Sequence, residues 1–249
     1  ANRGAVPFVW DRAFVEVFEG EEKGFDIVIG NPPYVRQERI APPGRADAPK
    51  AERDQYKAKL QRAVWSAYPH FFGYNPAKKE GRDNPRRKLD GKSDLYVYFY
   101  LYGLSLLNDK GSFCFITSNS WLDVEYGRDL QEFLLRHGHV RLVIDNAARR
   151  SFSQADVNTV IVLLGPADDR REAGLGQTAR FVSFRVPFEQ VLSPVIFQEI
   201  EEARERASKP EYRLFPIGQR ELLAVGMDVA DSLGRGSTYG GDKWGGKYL

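Results

Sequence analysis

Asn31, Pro32, Pro33 and Tyr34 follow directly on the apolar run Phe25-Asp26-Ile27-Val28-Ile29-Gly30. That run reads as a strand buried on both faces, ended by a glycine and two prolines. Tyr34 therefore stands just past the C-terminal end of a strand, the edge at which open α/β sheets bind ligands. The four residue types suit one task, holding a planar amino or amide group. The Asn31 side-chain oxygen and the Pro32 carbonyl are two acceptors, and proline fixes its own backbone without adding a donor. Pro33 restricts Pro32 to an extended conformation, so the direction of that carbonyl is set before any ligand arrives. Tyr34 adds a ring that can stack on a flat ligand, a contact worth about 1 to 3 kcal/mol per nucleic-acid base.

An exocyclic amine such as adenine N6 is a poor nucleophile because its lone pair is conjugated with the ring. Two acceptors that take both of its hydrogens draw the nitrogen toward a tetrahedral geometry and expose the lone pair, which is positioning combined with electrostatic preorganisation. The sulfonium of S-adenosylmethionine is an activated methyl donor, so such a site needs no metal and no catalytic cysteine or histidine. An ordinary turn that ends a strand has no use for two prolines followed by an aromatic ring. The same four residues can hold any planar amide or amine.

The elements that must position this corner are legible from periodicity. Lys50 to Phe72 carries apolar residues at spacings of three and four and predicts a helix. Residues 73 to 92 break the pattern with prolines, glycines and cations and predict an exposed loop. Ser93 is placed to cap a helix over Asp94 to Tyr102, which ends before Asn108 to Gly111. Ser112 to Thr117, Val140 to Asp145 and Thr159 to Leu164 read as strands, with Phe181 to Val186 as a weaker one. Between the first two, Leu122, Tyr126, Leu130, Phe133 and Leu134 give one apolar helical face, ended by Gly138. Ser193-Pro194 reads as a capped helix start. Strands separated by helical periods predict an α/β layer fold.

The 249 residues are 42 % hydrophobic and carry a formal charge of +2, enough for a sizeable core and modest for a protein that grips nucleic acid unaided. No apolar stretch approaches the length of a membrane span, so a membrane partner is not expected. The single cysteine, Cys114, lies in the apolar run Phe113 to Ile116 and reads as a packing residue, which points to a reducing cytoplasm. His137 and His139 lack neighbours at metal-ligand spacing, and no metal is expected. Glu21 and Lys23 mimic part of a nuclease signature without a paired acid. Between Lys78 and Lys92 seven cations face three acids, and Arg86, Arg87 and Lys88 are candidates for phosphate contacts. Arg36 either meets a nucleic-acid backbone or tethers Glu38.

With Asn31-Pro32-Pro33-Tyr34 and its lead-in Phe8 to Phe18, the sequence resembles the N6-adenine DNA methyltransferases that carry an Asn-Pro-Pro-Tyr motif, within the large single-chain restriction-modification and phage-exclusion type. Ser93 to Phe99 and Gly111 to Leu122 are similar to that family's next helix, strand and turn. Ser151 to Val160 resembles its late motif, by which Phe152 would be a second wall of the target-base pocket; Arg149 and Arg150, as cations next to Phe152, are further candidate DNA contacts. The resemblance implies double-stranded DNA with a flipped adenine as partner and S-adenosylmethionine as methyl donor. It also implies a sheet in which the strands at Phe25, Ser112, Thr159 and Val140 lie side by side in that order.

The family's glycine-rich donor turn and acidic donor ligands normally precede the motif, and the 30 residues before Asn31 contain no such turn. The expected fold is therefore a partial Rossmann-like sheet, the target-base half, flanked by helices, with the donor-binding half absent. Residues 1–186 are expected to form that half, 187–231 a helical connector, and 232–249 a linker and the start of a target-recognition domain. The strand Phe25 to Ile29 would be left with an unpaired apolar edge, which another copy, a loop or Ala1 to Trp10 is expected to cover. The isolated chain is expected to bind the donor negligibly and to be inactive. Two other functions fit the corner: methylation of a protein glutamine or an RNA amine, and a non-catalytic DNA-binding or interaction module.

Overall fold

The computed structural model describes residues 8–146, 158–228 and 237–249. Seven strands form one sheet: β1 Phe25–Gly30, β2 Leu107–Ser118, β3 His139–Asn146, β4 Thr159–Gly165, β5 Thr178–Phe184, β6 Ala207–Ser208 and β7 Tyr212–Gly218. Their order is β1-β2-β4-β3-β5-β7-β6. The first four strands stand in the order that the resemblance implies, and the mixed α/β architecture is Rossmann-like.

β1 runs parallel to β2, β4 is antiparallel to both β2 and β3, and β3 is parallel to β5. β1, β2, β3 and β5 thus point the same way, and their C-terminal ends share one edge. The β1 register sets Ile29 opposite Cys114 and Gly30 opposite Phe115, so Asn31 is the first residue beyond the ladder. Gly24 starts the strand with φ 116°, where a Cβ would sit 2.6 Å from the Leu107–Asn108 backbone. Only glycine allows that approach at that dihedral.

The Leu95–Leu104 helix is apolar all round because most of its circumference is buried, with Phe99 and Tyr102 left exposed along the open side. Tyr96, Val97, Tyr100 and Leu101 are fully buried, and the Tyr100 ring lies 5.5 Å from that of Phe115 on β2. Its other neighbour is the Lys50–Ala67 helix, which stops at Tyr68, before Pro69 starts a separate turn, Pro69–Phe72.

Several expectations are corrected. The apolar face from Leu122 to Leu134 is not one helix. Short 3-10 turns at Asn119–Leu122 and Glu125–Gly127 precede the helix Arg128–His137, because Gly127 is pressed so closely on Trp121 that a Cβ would lie 1.9 Å from its carbonyl oxygen. Ser93 does not cap: the N-cap is Asp94, and the buried Ser93 hydroxyl has no partner. The Asn108 to Gly111 segment belongs to β2 as a bulge, held where the Asn108 amide donates to the Asp26 carboxylate at 2.7 Å. The expected loop 73–92 contains a short helix, Lys79–Asp83, and buries Leu89. Cys114 is only partly buried.

β1 is not buried on both faces. It ends the sheet, and Ile27 and Ile29 are 67 % and 77 % exposed. The turns Trp10–Ala13 and Val15–Phe18 bring Trp10, Phe14 and Phe18 edge-on to Phe25, so among the described residues the N-terminal segment covers Phe25; residues 1–7 of the expected cover lie outside the described residues.

The C-terminal third also differs from expectation. Residues expected as a helical connector do contain the helix Pro194–Glu202, capped by Ser193, but they supply β6 and β7 as well. Residues 237–249 pack onto the core. Trp244 is fully buried, with its ring 5.7 Å from both Trp121 and Phe181. The buried Gln131 side chain joins the two parts: its amide N–H groups point at the carbonyls of Trp121, Leu122 and Asp242, and its oxygen accepts from the Tyr239 hydroxyl at 2.9 Å. Such a satisfied buried amide fixes one docking geometry. Trp244→Ala is expected to cost about 3 to 5 kcal/mol in denaturant unfolding, the range for emptying an aromatic core position. A loss below about 0.5 kcal/mol, the level of ordinary surface substitutions, would show that this segment does not belong to the core.

Candidate functional site

Asn31 and Pro33 are exposed, Pro32 is buried and Tyr34 is half-buried. The Tyr34 hydroxyl donates to the Ile116 carbonyl near the end of β2 (3.1 Å), which fixes the ring at the sheet edge, and burial raises its pKa. The Val35 N–H turns back to the Pro33 carbonyl at 2.9 Å. The Asn31 amide makes no hydrogen bond to any described residue and is presented to solvent together with the corner.

The other parallel strands bring polar groups to the same edge. β2 ends in Thr117 and Ser118, with Thr117 Oγ1 2.9 Å from the Tyr100 hydroxyl and the Ser118 hydroxyl 2.9 Å from that of Ser120. β3 ends in Asp145 and Asn146, and burial raises the Asp145 pKa. The Asn119 N–H donates to the Asn158 carbonyl at 3.0 Å, which ties the turn after β2 to the start of β4. Phe152, Arg149 and Arg150 lie outside the described residues, in the segment between β3 and β4. Its flanking residues, Asn146 and Asn158, both stand at this edge.

A groove of about 980 Å³ runs from Asn31 and Pro32 along the open face of β1 to Trp10, floored by Ile27, Ile29 and Phe115. Its lining includes no charged side chain. A donor such as S-adenosylmethionine carries a ribose diol and an adenine amine that need acceptors, and the described residues of this groove do not supply a carboxylate for them. The groove by itself does not fit that molecule.

The candidate DNA contacts separate into two groups. Arg36 is exposed, beside Asp94, and makes no ion pair with Glu38 among the described residues. Arg86 and Lys88 are exposed, with Lys88 Nζ 2.9 Å from Asn84 Oδ1, and they line a second cleft of about 490 Å³ that also holds Asp90, Arg128 and Asp129. Burial pushes Asp129 up to about 7, partly offset by the Asp90 N–H that it accepts at 3.0 Å. Arg87 is different and is withdrawn as a phosphate contact. Its guanidinium is 2.8 Å from the buried Glu132 carboxylate and covers the Phe71 ring at 4.8 Å. Glu132 also accepts from Arg136 at 2.9 Å and from the Ser237 hydroxyl at 2.6 Å, so Arg87 is part of an internal charge cluster. His137 is likewise internal, between the Phe71 and Phe133 rings.

Sequence reasoning missed two residues that hold the corner, Asp94 and Tyr126. The Asp94 carboxylate accepts the Gln37 N–H at 2.9 Å and the Tyr126 hydroxyl at 3.0 Å. The one available signal was an acid directly before the first residue of a helix, which reads equally as a cap.

The sequence profile of the Eco57I restriction-modification methylase family matches residues 1–152. The chain belongs to that family. Among curated relatives it is 28 % identical over 121 residues to the type II methyltransferase M.BstVI of Geobacillus stearothermophilus, covering 49 % of this chain and 16 % of the relative. It is 27 % identical over 124 residues to the type II methyltransferase M.PaeR7I of Pseudomonas aeruginosa, again covering 16 % of that protein and 50 % of this chain. The type IIG restriction endonuclease BpuSI has a similar fold, with a TM-score of 0.52 and 16 % identity over 79 % of this chain and 19 % of that one. The matched stretch thus spans about a sixth of the length of the two curated relatives. No helix among its described residues is long and apolar enough to cross a membrane.

The internal place of Arg87 can be separated from the exposed cations by stability. Arg87→Ala is expected to cost about 3 kcal/mol, since it leaves a buried carboxylate short of a partner. Lys88→Ala is expected to change stability by no more than about 0.5 kcal/mol. Equal and small losses in urea unfolding would return Arg87 to the surface group.

Proposed function

We propose that this chain is the target-base half of a restriction-modification methyltransferase that transfers a methyl group from S-adenosylmethionine to adenine N6 in double-stranded DNA, with a role in defence against phage. The observation that carries the proposal is the Asn31-Pro32-Pro33-Tyr34 corner, with Asn31 exposed, at the shared C-terminal edge of the parallel strands. Asn31 Oδ1 and the Pro32 carbonyl accept the two N6 hydrogens. The nitrogen lone pair is then turned away from the ring and toward the donor. Tyr34 stacks on the base, and Phe152 closes the pocket from the side that Tyr34 does not cover. The adenine reaches this edge by flipping out of the duplex, at a cost of a few kcal/mol that the aromatic slot partly offsets.

The donor is held mainly by residues outside this chain. The uncharged lining of the groove along β1 and the bare Ile27 and Ile29 support this reading, because an apolar strand edge is suited to another strand and its covering layer. Self-association through this edge is the alternative when that layer is missing. Arg36, Arg86, Lys88, Arg149 and Arg150 contact phosphates around the flipped nucleotide. The protein works in the cytoplasm, where its DNA is.

In the full-length protein, Asn31→Ala is expected to lower methyl transfer to DNA by at least about 100-fold, since it removes one of two acceptors on the reacting amine, while leaving donor affinity within about twofold. Turnover like that of the wild type would remove Asn31 from this role. The 249-residue chain alone is expected to give no calorimetric binding of S-adenosylmethionine. A 1:1 isotherm would place the donor site within it.

A further inference from the structure

The two prolines do not hold the corner unaided. The backbone that leaves it, Val35 to Gln37, is tied to the start of the Leu95–Leu104 helix by two bonds that run in opposite directions. The Leu95 N–H donates to the Val35 carbonyl at 3.0 Å, and the Gln37 N–H donates to Asp94 Oδ1 at 2.9 Å. Asp94 is the N-cap of that helix, yet its side chain makes no bond to the helix's own amides. The stabilising cap that an aspartate at this position can supply is forgone here.

The second carboxylate oxygen is also engaged. Asp94 Oδ2 accepts from the Tyr126 hydroxyl at 3.0 Å, and the Tyr96 hydroxyl stands 2.8 Å from that of Tyr126. Tyr126 lies in the Glu125–Gly127 turn that Gly127 presses onto Trp121, in the turn that closes β2. β2 in turn receives the Tyr34 hydroxyl at Ile116. The corner is thereby gripped on both sides of Tyr34, by β2 through the ring and by Asp94 through the backbone. Burial raises the Asp94 pKa, against the bonds from Tyr126 and Gln37 that lower it. Of the charges facing it, Glu38 raises it further and Arg36 lowers it. The two hydrogen bonds and Arg36 favour the ionised carboxylate, against burial and Glu38, and both carboxylate oxygens have a donor aimed at them.

We propose that Asp94 is a positioning residue for the corner, with Tyr126 as its support. It fixes the peptide that leaves Tyr34, and through that peptide the aim of the Pro32 carbonyl and the plane of the Tyr34 ring on the target amine. Asp94 touches neither substrate nor donor. This inference rests on the reading of the corner as a methyl-transfer site. It deepens that reading by naming the residue that keeps the site aligned.

The test uses the full-length protein that carries this chain, with tritiated S-adenosylmethionine and plasmid DNA from a methylation-deficient host. Wild type, Asp94→Ala, Asp94→Asn, Tyr126→Phe and Asn31→Ala are compared for kcat, KM for DNA, donor affinity by calorimetry and melting temperature. Asp94→Ala is expected to lower kcat by about 10- to 100-fold, the effect of a misplacement near 1 Å, with KM for DNA, donor affinity and melting temperature close to wild type. Asp94→Asn keeps an acceptor for the Gln37 N–H and is expected to recover part of the loss. Tyr126→Phe is expected to lower kcat by only a few fold.

Wild-type kcat in Asp94→Ala overturns the proposal. So does a loss of kcat matched by falls in donor affinity and melting temperature, which is the signature of a merely structural residue; if Asp94→Ala does not fold, Asp94→Asn and Tyr126→Phe carry the same comparison. Failure of the underlying reading looks different. No transfer by the wild type, or full transfer by Asn31→Ala, removes the corner's role whatever Asp94 does, and this inference falls with it.

Discussion

The parallel register of β1 on β2, with Gly30 opposite Phe115, decides where every residue of the corner falls. Side chains alternate along a strand, so a slip of one residue would exchange the faces of Ile27 and Val28 and carry Asn31 back into the ladder. Gly24 makes the start of that register sterically feasible, and the β2 bulge at Asn108 to Gly111 absorbs the mismatch between Phe25 and Ile27. Gly30 is narrow where the Phe115 ring crosses it, at 2.9 Å from the place of a Cβ. From that point the chain leaves the sheet, and the two prolines limit its direction.

Three polar groups below this edge, Glu132, Gln131 and Asp94, have their hydrogen bonds answered, which favours a single packing of the apolar layer around them. Glu132 is neutralised by Arg87 and Arg136, Gln131 satisfies carbonyls from the turn after β2 and from residue 242, and Asp94 takes two donors. Networks of this kind are costly when broken and specific when complete. They also join distant parts of the sequence. Glu132 and Gln131 fasten residues 237–249 against Trp121, close to the turn that carries Tyr126. The C-terminal segment and the corner are thus anchored on the same short stretch of chain.

Much of this was legible in the sequence, and the reasons for the exceptions are physical. Short apolar runs bounded by glycine, proline or asparagine located β1 to β4, because a strand inside a layered fold has little choice of composition. The order of those strands came from the resemblance, since periodicity carries no information about neighbours. β1 misled because its composition suits burial on both faces, whereas Ile27 and Ile29 stand bare in this chain. The helix expected from Leu122 to Leu134 failed at Gly127, where a backbone contact with Trp121 outweighs apolar periodicity. Arg87 stood in a run of cations that looks solvated, and its carboxylate partner lies 45 positions away. Asp94 and Tyr126 were missed for the same reason, as hydrogen bonds across 57 and 32 positions leave no local pattern.

The central claim is that the corner holds the amino group of adenine. It is tested most directly by digesting DNA treated with the full-length protein and S-adenosylmethionine to nucleosides and identifying the methylated species by mass spectrometry with authentic standards. The account predicts N6-methyl-2′-deoxyadenosine and no other methylated nucleoside. Methyl groups found on cytosine N4, or on a protein glutamine with the DNA unmodified, would contradict it.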